Sequence, residues 1–341
     1  MTVRPFLLPA DPLDRFLALY QQARDTGRWW EKQSNSLRHA CLALVTLEGR
    51  PGDLIRRLRR TADELKSRSG MFSPMQNAMR YVYAAHLMAI ELSPERILKE
   101  SERLKQMLKA EKLPRSTSAY NIVTALVLLE QSLEAGGSAR ISRDQVARMA
   151  QIYRAFKEDH PWITGGDDLA PAALLAGEPG APRAIASRVE SVYQELRSFK
   201  YGRGNALQTA AQLLSLHPQA ASGAVRQFDA IYQGFRGRGL WMMECDYDEV
   251  AALSFVSATP TTIVDRTLDR REAVRARRWG LGKNETFSVA SSLTMLELLG
   301  QAASHEELAA FSMIVRIQAV IQAQAAATVA ASSGGAAAAA S

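Results

Sequence analysis

The stretch VYQELRSFKYGRGNALQTAAQLLSL, residues 192–216, decides the fold class of this chain. Apolar residues recur every three or four positions on both sides of a Gly-rich segment, which is typical of two amphipathic helices joined by a tight corner. The second helix has a small apolar face of alanine and leucine, so a neighbouring helix can pack closely on it. Nowhere does the chain show the sustained alternation of a strand, and the sequence therefore predicts an all-α fold.

Variants of this helix–corner–helix unit recur along the chain. The tyrosines of three first helices, Tyr153, Tyr193 and Tyr232, are 40 and 39 residues apart. The second helices align on a small residue: Ala43, Ala85, Ala125, Ala173, Ala211, Ala252 and Ser291. Periods near 40 with two helices per unit predict α/α helical hairpins, stacked as a superhelix (solenoid) or a closed toroid. Chance alignment of Ala-rich helices is the alternative, and the tyrosines, which are independent of the alanines, argue against it.

Chain length and composition limit the possible domain organisation. A chain of 341 residues exceeds one compact core, so it forms either two domains or an array that grows by stacking. The repeat favours a single array over residues 1–331, followed by a disordered tail of Ala, Ser and Gly at 332–341. We find no signal peptide and no apolar run suited to a membrane span, which predicts a cytoplasmic protein. The two cysteines have no nearby ligand partner, so neither a disulfide nor a metal site is predicted.

Two corners carry a family resemblance. The segments HPWITGGDDLAPAALLAGE (160–178) and SFKYGRGNALQTAAQLLSLH (198–217) resemble the matching corners of the bacterial domain of unknown function 4003 family. Members of that family have an LTG-type corner followed by two acids, and Ile163 stands here in place of the leucine. The resemblance covers about residues 30–300. It implies an all-helical, bacterial, cytoplasmic protein, and it transfers no catalytic residue because the function of the family is unknown.

An acidic cluster is the first candidate site. In a stacked array equivalent corners share one edge, so residues about 40 positions apart can converge there. The acids of these corners are Asp167, Asp168, Glu244, Asp246 and Asp248, and His160 lies in the first corner. Carboxylates and an imidazole can perform acid–base chemistry. The alternative is that the acids cap the starts of helices, and capping is the commoner role.

The Gly-rich corner is the second candidate. Backbone N–H groups of such a turn can bind a phosphate, and Arg203 would assist. No strand precedes this corner and no complete phosphate-binding motif is present, so a tight corner with Asn205 as N-cap is the simpler interpretation.

Aromatic residues of the corners form a third candidate. The predicted binding-surface residues are Trp162, Tyr201, Asn205, Trp241 and Trp279. Tryptophans on a shared edge can line a groove for a ligand or peptide. Closing the ends of the apolar core is the alternative role.

Basic helix faces form a fourth candidate, since the chain carries a net charge of +7. The arginines concerned are Arg56, Arg57, Arg59, Arg60, Arg266, Arg270, Arg271, Arg275, Arg277 and Arg278. Interspersed acids favour a solvated face over a phosphate-binding track.

These features lead to one principal functional hypothesis, a non-enzymatic binding scaffold for a protein or peptide partner. The first alternative is an enzyme of hydrolase or lyase type, whose site would combine Asp167, Asp168, His160, Arg203, Glu244 and Asp246. The second alternative is nucleic-acid binding through the basic faces. No motif identifies a cofactor.

Overall fold

The computed structural model describes residues 9–27, 35–71, 73–114, 117–218, 220–277 and 282–300. Within these ranges it contains fourteen α-helices and three short 3-10 turns, and none of these residues belongs to a strand. The predicted all-α class is confirmed. Three of the sequence predictions lie outside the described residues: the tail at 332–341, Arg278 and the corner of Trp279.

The chain divides into two compact units, the first ending at Arg143 and the second beginning at Asp144. Unit 1 holds α1 (Pro12–Asp25), α2 (Asn35–Leu44), α3 (Pro51–Arg68), α4 (Met79–Ala89), α5 (Pro94–Ala110) and α6 (Ser118–Glu134). Unit 2 holds α7 (Arg143–Asp159, whose first residue still counts with unit 1), α8 (Leu169–Ala176), α9 (Pro182–Ser198), α10 (Asn205–Leu214), α11 (Ala221–Gly237), α12 (Tyr247–Leu253), α13 (Pro260–Ala276) and α14 (Lys283–Gly300). The single array over residues 1–331 stays a prediction.

Local sequence signals mark the starts of many first helices of the pairs. Helices α1, α3, α5, α9 and α13 start with proline, which has no N–H to leave unpaired and a φ suited to a helix. Ser93 is the N-cap of α5, and its hydroxyl accepts the N–H of Arg96 at 3.2 Å. Pro74 begins a 3-10 turn, Pro74–Gln76, instead of a helix, and α4 starts only at Met79.

Helices pack in two layers within unit 1. First helices contact first helices, α1 with α3 and α3 with α5, while α2 contacts α4 among the second helices. Each first helix also contacts its own second helix, as in the pairs α1–α2, α3–α4 and α5–α6.

Unit 2 shows the same two layers. The first helices α9, α11 and α13 pack in succession, and so do the second helices α8, α10, α12 and α14. Second helices therefore have neighbours on several sides, and every residue of α8 is buried. Ala173 and Ala211 are fully buried, which explains why small residues recur at this position: a larger side chain would hold the neighbouring helices apart.

In two helix pairs of the described residues, an arginine of the first helix donates hydrogen bonds to backbone carbonyls at the end of the second helix, a contact that we call an arginine clamp. Arg15 of α1 and Arg148 of α7 each donate to three backbone carbonyls at or just after the end of the next helix. The accepting residues are Val45, Leu47 and Gly49 for Arg15, and Ala176, Glu178 and Gly180 for Arg148. The last carbonyls of a helix have no partner within the helix, so the guanidinium replaces water there.

Candidate functional site

Three corners of unit 2 meet along one edge. They precede α8, α10 and α12 and comprise residues 160–168, 199–204 and 238–246. The first touches the start of α10, because the Asn205 amide donates a hydrogen bond to the Asp167 carboxylate. The second touches the third, because the Glu244 carboxylate lies against the backbone of Gly202, where an added Cβ would be 2.2 Å from Glu244 Oε1. We call these three segments the corner edge.

Asp168 is the most deeply buried acid of the corner edge, with 2% of its surface exposed. Its Oδ2 accepts the N–H of Gly165 at 2.8 Å. Its Oδ1 accepts the side-chain amides of Gln208 at 3.0 Å and Gln212 at 2.8 Å. Burial raises the pKa of Asp168 to about 7 in spite of these donors, and the charge of Asp167 raises it further.

Asp246 makes an equivalent capping hydrogen bond in the third corner. Its Oδ2 accepts the N–H of Met243 at 2.7 Å, three residues earlier, as Asp168 does with Gly165. Burial likewise raises the pKa of Asp246. Each acid closes a 3-10 turn, Gly166–Asp168 or Glu244–Asp246, directly before a second helix. Both carboxyl groups are thus used to hold corners, in line with the capping alternative.

The other residues of the candidate catalytic set have separate partners. His160 Nε2 lies 2.6 Å from Glu190 Oε2 on α9, and its ring contacts that of Tyr193 at 4.4 Å between centroids. Arg203 is exposed and forms no ion pair within the described residues. Across those same ranges, no three His, Cys, Asp or Glu side chains lie close enough together to hold a metal ion. The geometry joins Asp167 to Asn205, and it does not gather the six candidates in one pocket.

The tryptophans of the corner edge are at the surface. Trp162 is 96% exposed and Trp241 is 85% exposed, so neither closes the apolar core. Met243, two residues after Trp241, is 42% exposed.

Two other binding-surface candidates occupy different positions. Tyr201 is 5% exposed, and its hydroxyl donates to Asp229 at 2.8 Å, so it is a core residue rather than part of the surface. Asn205 is exposed, but it is the first residue of α10. The N-cap position that was predicted for Asn205 is occupied by Gly204. Only glycine readily adopts the φ of +143° found there, which is why the cap is not asparagine.

Two glutamines that bind Asp168 were not predicted from the sequence. Gln208 and Gln212 are each 1% exposed and lie one helical turn apart on α10. Two glutamines at this spacing on the buried face of an Ala- and Leu-rich helix were the available signal, because buried amides need partners.

The basic faces are partly neutralised. On α13, Arg270 forms an ion pair with Glu297 at 2.6 Å, Arg275 pairs with Glu272, and Arg271 is buried. On α3, Arg56 pairs with Asp53. Arg57 and Arg60 of α3 and Arg266 of α13 are exposed and take no part in these ion pairs.

Among the helices with described residues, none combines the length and apolarity that a membrane span requires. A search of curated proteins found no match, and a search of solved structures found none either. The model of one protein family matches residues 19–326, which include all three corners. The chain belongs to the family described as "protein of unknown function (DUF4003)".

Proposed function

We propose that this protein is a scaffold of stacked two-helix repeats that binds a protein or peptide partner at the corner edge of unit 2. The repeat interpretation is supported by the two helix layers in each unit and by the matched arginine clamps of Arg15 and Arg148. A superhelical or ring-shaped arrangement of the repeats remains the prediction from sequence.

The observation that carries the proposal is the exposure of Trp162 and Trp241. Tryptophan is usually well buried in a monomer, and it is the residue most enriched among the energetic anchors of protein interfaces. Both residues lie in equivalent corners, before α8 and α12, so they present two anchors on the same edge. Catalysis is not part of the proposal, because Asp168 and Asp246 are engaged as caps.

The experiment places a photo-crosslinking amino acid at position 162 or 241 in the native host. The captured protein is identified and purified, and its affinity is measured by calorimetry. The double variant Trp162→Ser, Trp241→Ser should weaken binding by about 30-fold or more, since an interface anchor contributes about 2 kcal/mol. Its thermal midpoint should stay unchanged, because both side chains are exposed in the free protein.

Met71→Ser is the matched control. Met71 is another large apolar side chain, 81% exposed, but it belongs to unit 1. Its substitution should leave the affinity unchanged. The proposal is overturned if the captured partner binds the double variant as tightly as the natural protein, or if Met71→Ser weakens binding equally.

A further inference from the structure

Each corner of the corner edge carries one exposed aromatic residue. Trp162 lies in the first corner and Trp241 in the third. Phe199 opens the second corner and is 38% exposed. The three positions are 37 and 42 residues apart, which is close to the period of the repeat. A partner that follows this edge therefore meets one apolar contact in each of three successive corners.

The cations that end the first helices differ in how they are used. Lys157, Arg197 and Arg236 occupy equivalent positions, each four residues after the tyrosine of its repeat. Lys157 donates to the carbonyl of Pro161, and Arg197 donates to the carbonyl of Tyr201 at 2.7 Å, so each holds the corner that follows it. The side chain of Arg236 is exposed and makes no hydrogen bond or ion pair within the described residues. Its charge is therefore not used inside the fold.

The second corner adds two further cations. The side chains of Lys200 and Arg203 are exposed, and neither forms a hydrogen bond or ion pair in the part of the chain that the structure describes. Between them, Gly202 lies against the Glu244 side chain of the third corner. These two cations thus lie where the second corner meets the third, which begins two residues after Arg236.

Most other charges of the edge have partners within the protein. Asp168 and Asp246 are buried caps, and Asp167 accepts the amide at the start of α10. Arg238 pairs with an acid of α13. Across the three corners and the two residues on either side of each, four charged side chains have no such partner: Lys200, Arg203, Arg236 and Glu244. We call the first three the unpaired cations. The charge left for a partner is therefore positive.

We propose that the partner of the corner edge is an acidic peptide segment, a proposal that rests on the scaffold function given above. Carboxylates of the segment pair with the unpaired cations, and its apolar side chains pack on the exposed aromatic residues of the three corners. Tryptophan and arginine are the residues most enriched among interface anchors, and opposite charge on the two surfaces accelerates association and selects the partner.

A single strand of nucleic acid also combines negative charge with groups that stack on aromatic rings. A peptide fits the edge better, because Glu244 is among its unpartnered charges and Asp167 lies in its first corner. Both carboxylates repel a continuous chain of phosphates, whereas a peptide can place its own charges away from them. Binding of an oligonucleotide is therefore an outcome of the test that counts against the proposal.

The experiment selects random peptides, displayed on phage, for binding to the immobilised full chain. We expect the binders to contain apolar residues and about twice as many Asp and Glu residues as the unselected library. The strongest binder is synthesised, and its dissociation constant is measured by fluorescence anisotropy. Replacing its Asp and Glu residues by Asn and Gln should weaken binding by about tenfold or more.

The matching change in the protein is the triple variant Lys200→Gln, Arg203→Gln, Arg236→Gln. It should weaken binding of the peptide by about tenfold or more and make the affinity less sensitive to NaCl, because the unpaired cations supply the screened attraction. Its thermal midpoint should not change, since these side chains have no partner in the fold. Arg226→Gln is the control: Arg226 is an exposed cation near the opposite end of α11, and its substitution should leave the affinity unchanged.

Four results would overturn the inference: no binder is selected, the binders are not enriched in acids, the triple variant binds the peptide as tightly as the natural protein, or an oligonucleotide of about 20 deoxythymidines binds more tightly than the peptide. These results are separable from failure of the scaffold proposal, which the crosslinking experiment in the native host decides by itself. A binder that requires Trp162 and Trp241, but neither acids nor the unpaired cations, would refute the acidic partner and leave the scaffold in place.

Discussion

A buried carboxyl group needs hydrogen-bond donors, and Asp168 finds three of them from two different sources. Gly165 supplies a backbone N–H from the same corner, and Gln208 and Gln212 supply amides from the next second helix. One residue thus ends a 3-10 turn and ties one repeat to the next. Burial disfavours the ionised form of this carboxyl group, and it therefore raises the pKa of Asp168.

Two glycines of the second corner should respond differently to alanine. Gly204 has a φ of +143°, a conformation that costs a residue with a Cβ about 1–3 kcal/mol. Gly202 meets only the end of the exposed Glu244 side chain, which can rotate away. We expect Gly204→Ala to lower the free energy of unfolding in urea by that amount, and Gly202→Ala by less than about 1 kcal/mol. Equal losses, or a larger loss at Gly202, would show that the corner is held differently.

At the scale of the element, helix α8 is too short and apolar to be stable alone, and contacts from other segments hold the residues on both sides of it. Helix α8 has eight residues, all of them buried. Asp168 holds the 3-10 turn directly before this helix, and the guanidinium of Arg148 secures its end. Isolated helices of this length are not stable in water, so these contacts from outside the helix matter more than its own propensity.

The variant Arg148→Met should therefore destabilise the protein. It removes bonds of 2.8, 2.6 and 2.7 Å from a charged donor to the carbonyls of Ala176, Glu178 and Gly180. We expect the free energy of unfolding to fall by about 1–3 kcal/mol. Hydrogen exchange should accelerate first in the last turn of α8.

Arg226→Met on α11 is the control for the loss of a cationic side chain. Arg226 is exposed and makes no hydrogen bond or ion pair within the described ranges, so its replacement should be nearly neutral. If both variants lose the same stability, the clamp contributes nothing specific.

At the scale of the whole molecule, the two units bury opposite kinds of titratable group. Unit 2 buries Asp168, whose pKa burial raises to about 7. Unit 1 holds His86, whose pKa is lowered to about 4 by burial and by the nearby His39. Burial favours the neutral form of both side chains. The carboxyl group of Asp168 is neutral at low pH, when it is protonated, whereas the imidazole of His86 is neutral at high pH, when it is deprotonated.

The two units should therefore respond to pH with opposite sign. Folded Asp168 holds its proton up to about pH 7, so unit 2 loses stability as pH rises from about 4 to 7. Folded His86 stays neutral down to about pH 4, so unit 1 loses stability as pH falls from 6.5 to about 4. Each group contributes at most about 1.4 kcal/mol per pH unit. Hydrogen exchange of α10 and α4, corrected for intrinsic rates, measures the two slopes separately.

Asp168→Asn and His86→Leu serve as matched controls. The first should flatten the slope of α10 and leave that of α4 intact, and the second should do the reverse. Part of the slope in unit 2 should survive Asp168→Asn, because burial also raises the pKa of Asp246. Slopes of the same sign in both units would refute the prediction.

Much of the secondary structure could be predicted from local patterns. The bounds of α8, Leu169–Ala176, follow from such a pattern, because two acids precede an uninterrupted apolar run and Gly177 follows it. Asn205 was assigned the wrong capping position, since side-chain chemistry favoured asparagine while the backbone of the corner required Gly204. At the corners, the partners of Asp168 were missed because they lie 40 and 44 residues away along the chain.

By itself, the sequence determined an all-helical chain whose apolar second helices alternate with amphipathic first helices. These properties follow from periodicity, proline position and capping, all of which act over a few residues. The tertiary structure alone decided which polar groups meet: Asp168 with Gln208, His160 with Glu190, and Asp167 with Asn205. Such contacts depend on how successive helices stack and on the rotation of each helix about its axis. That rotation is set by packing across the whole unit, so no local pattern specifies it.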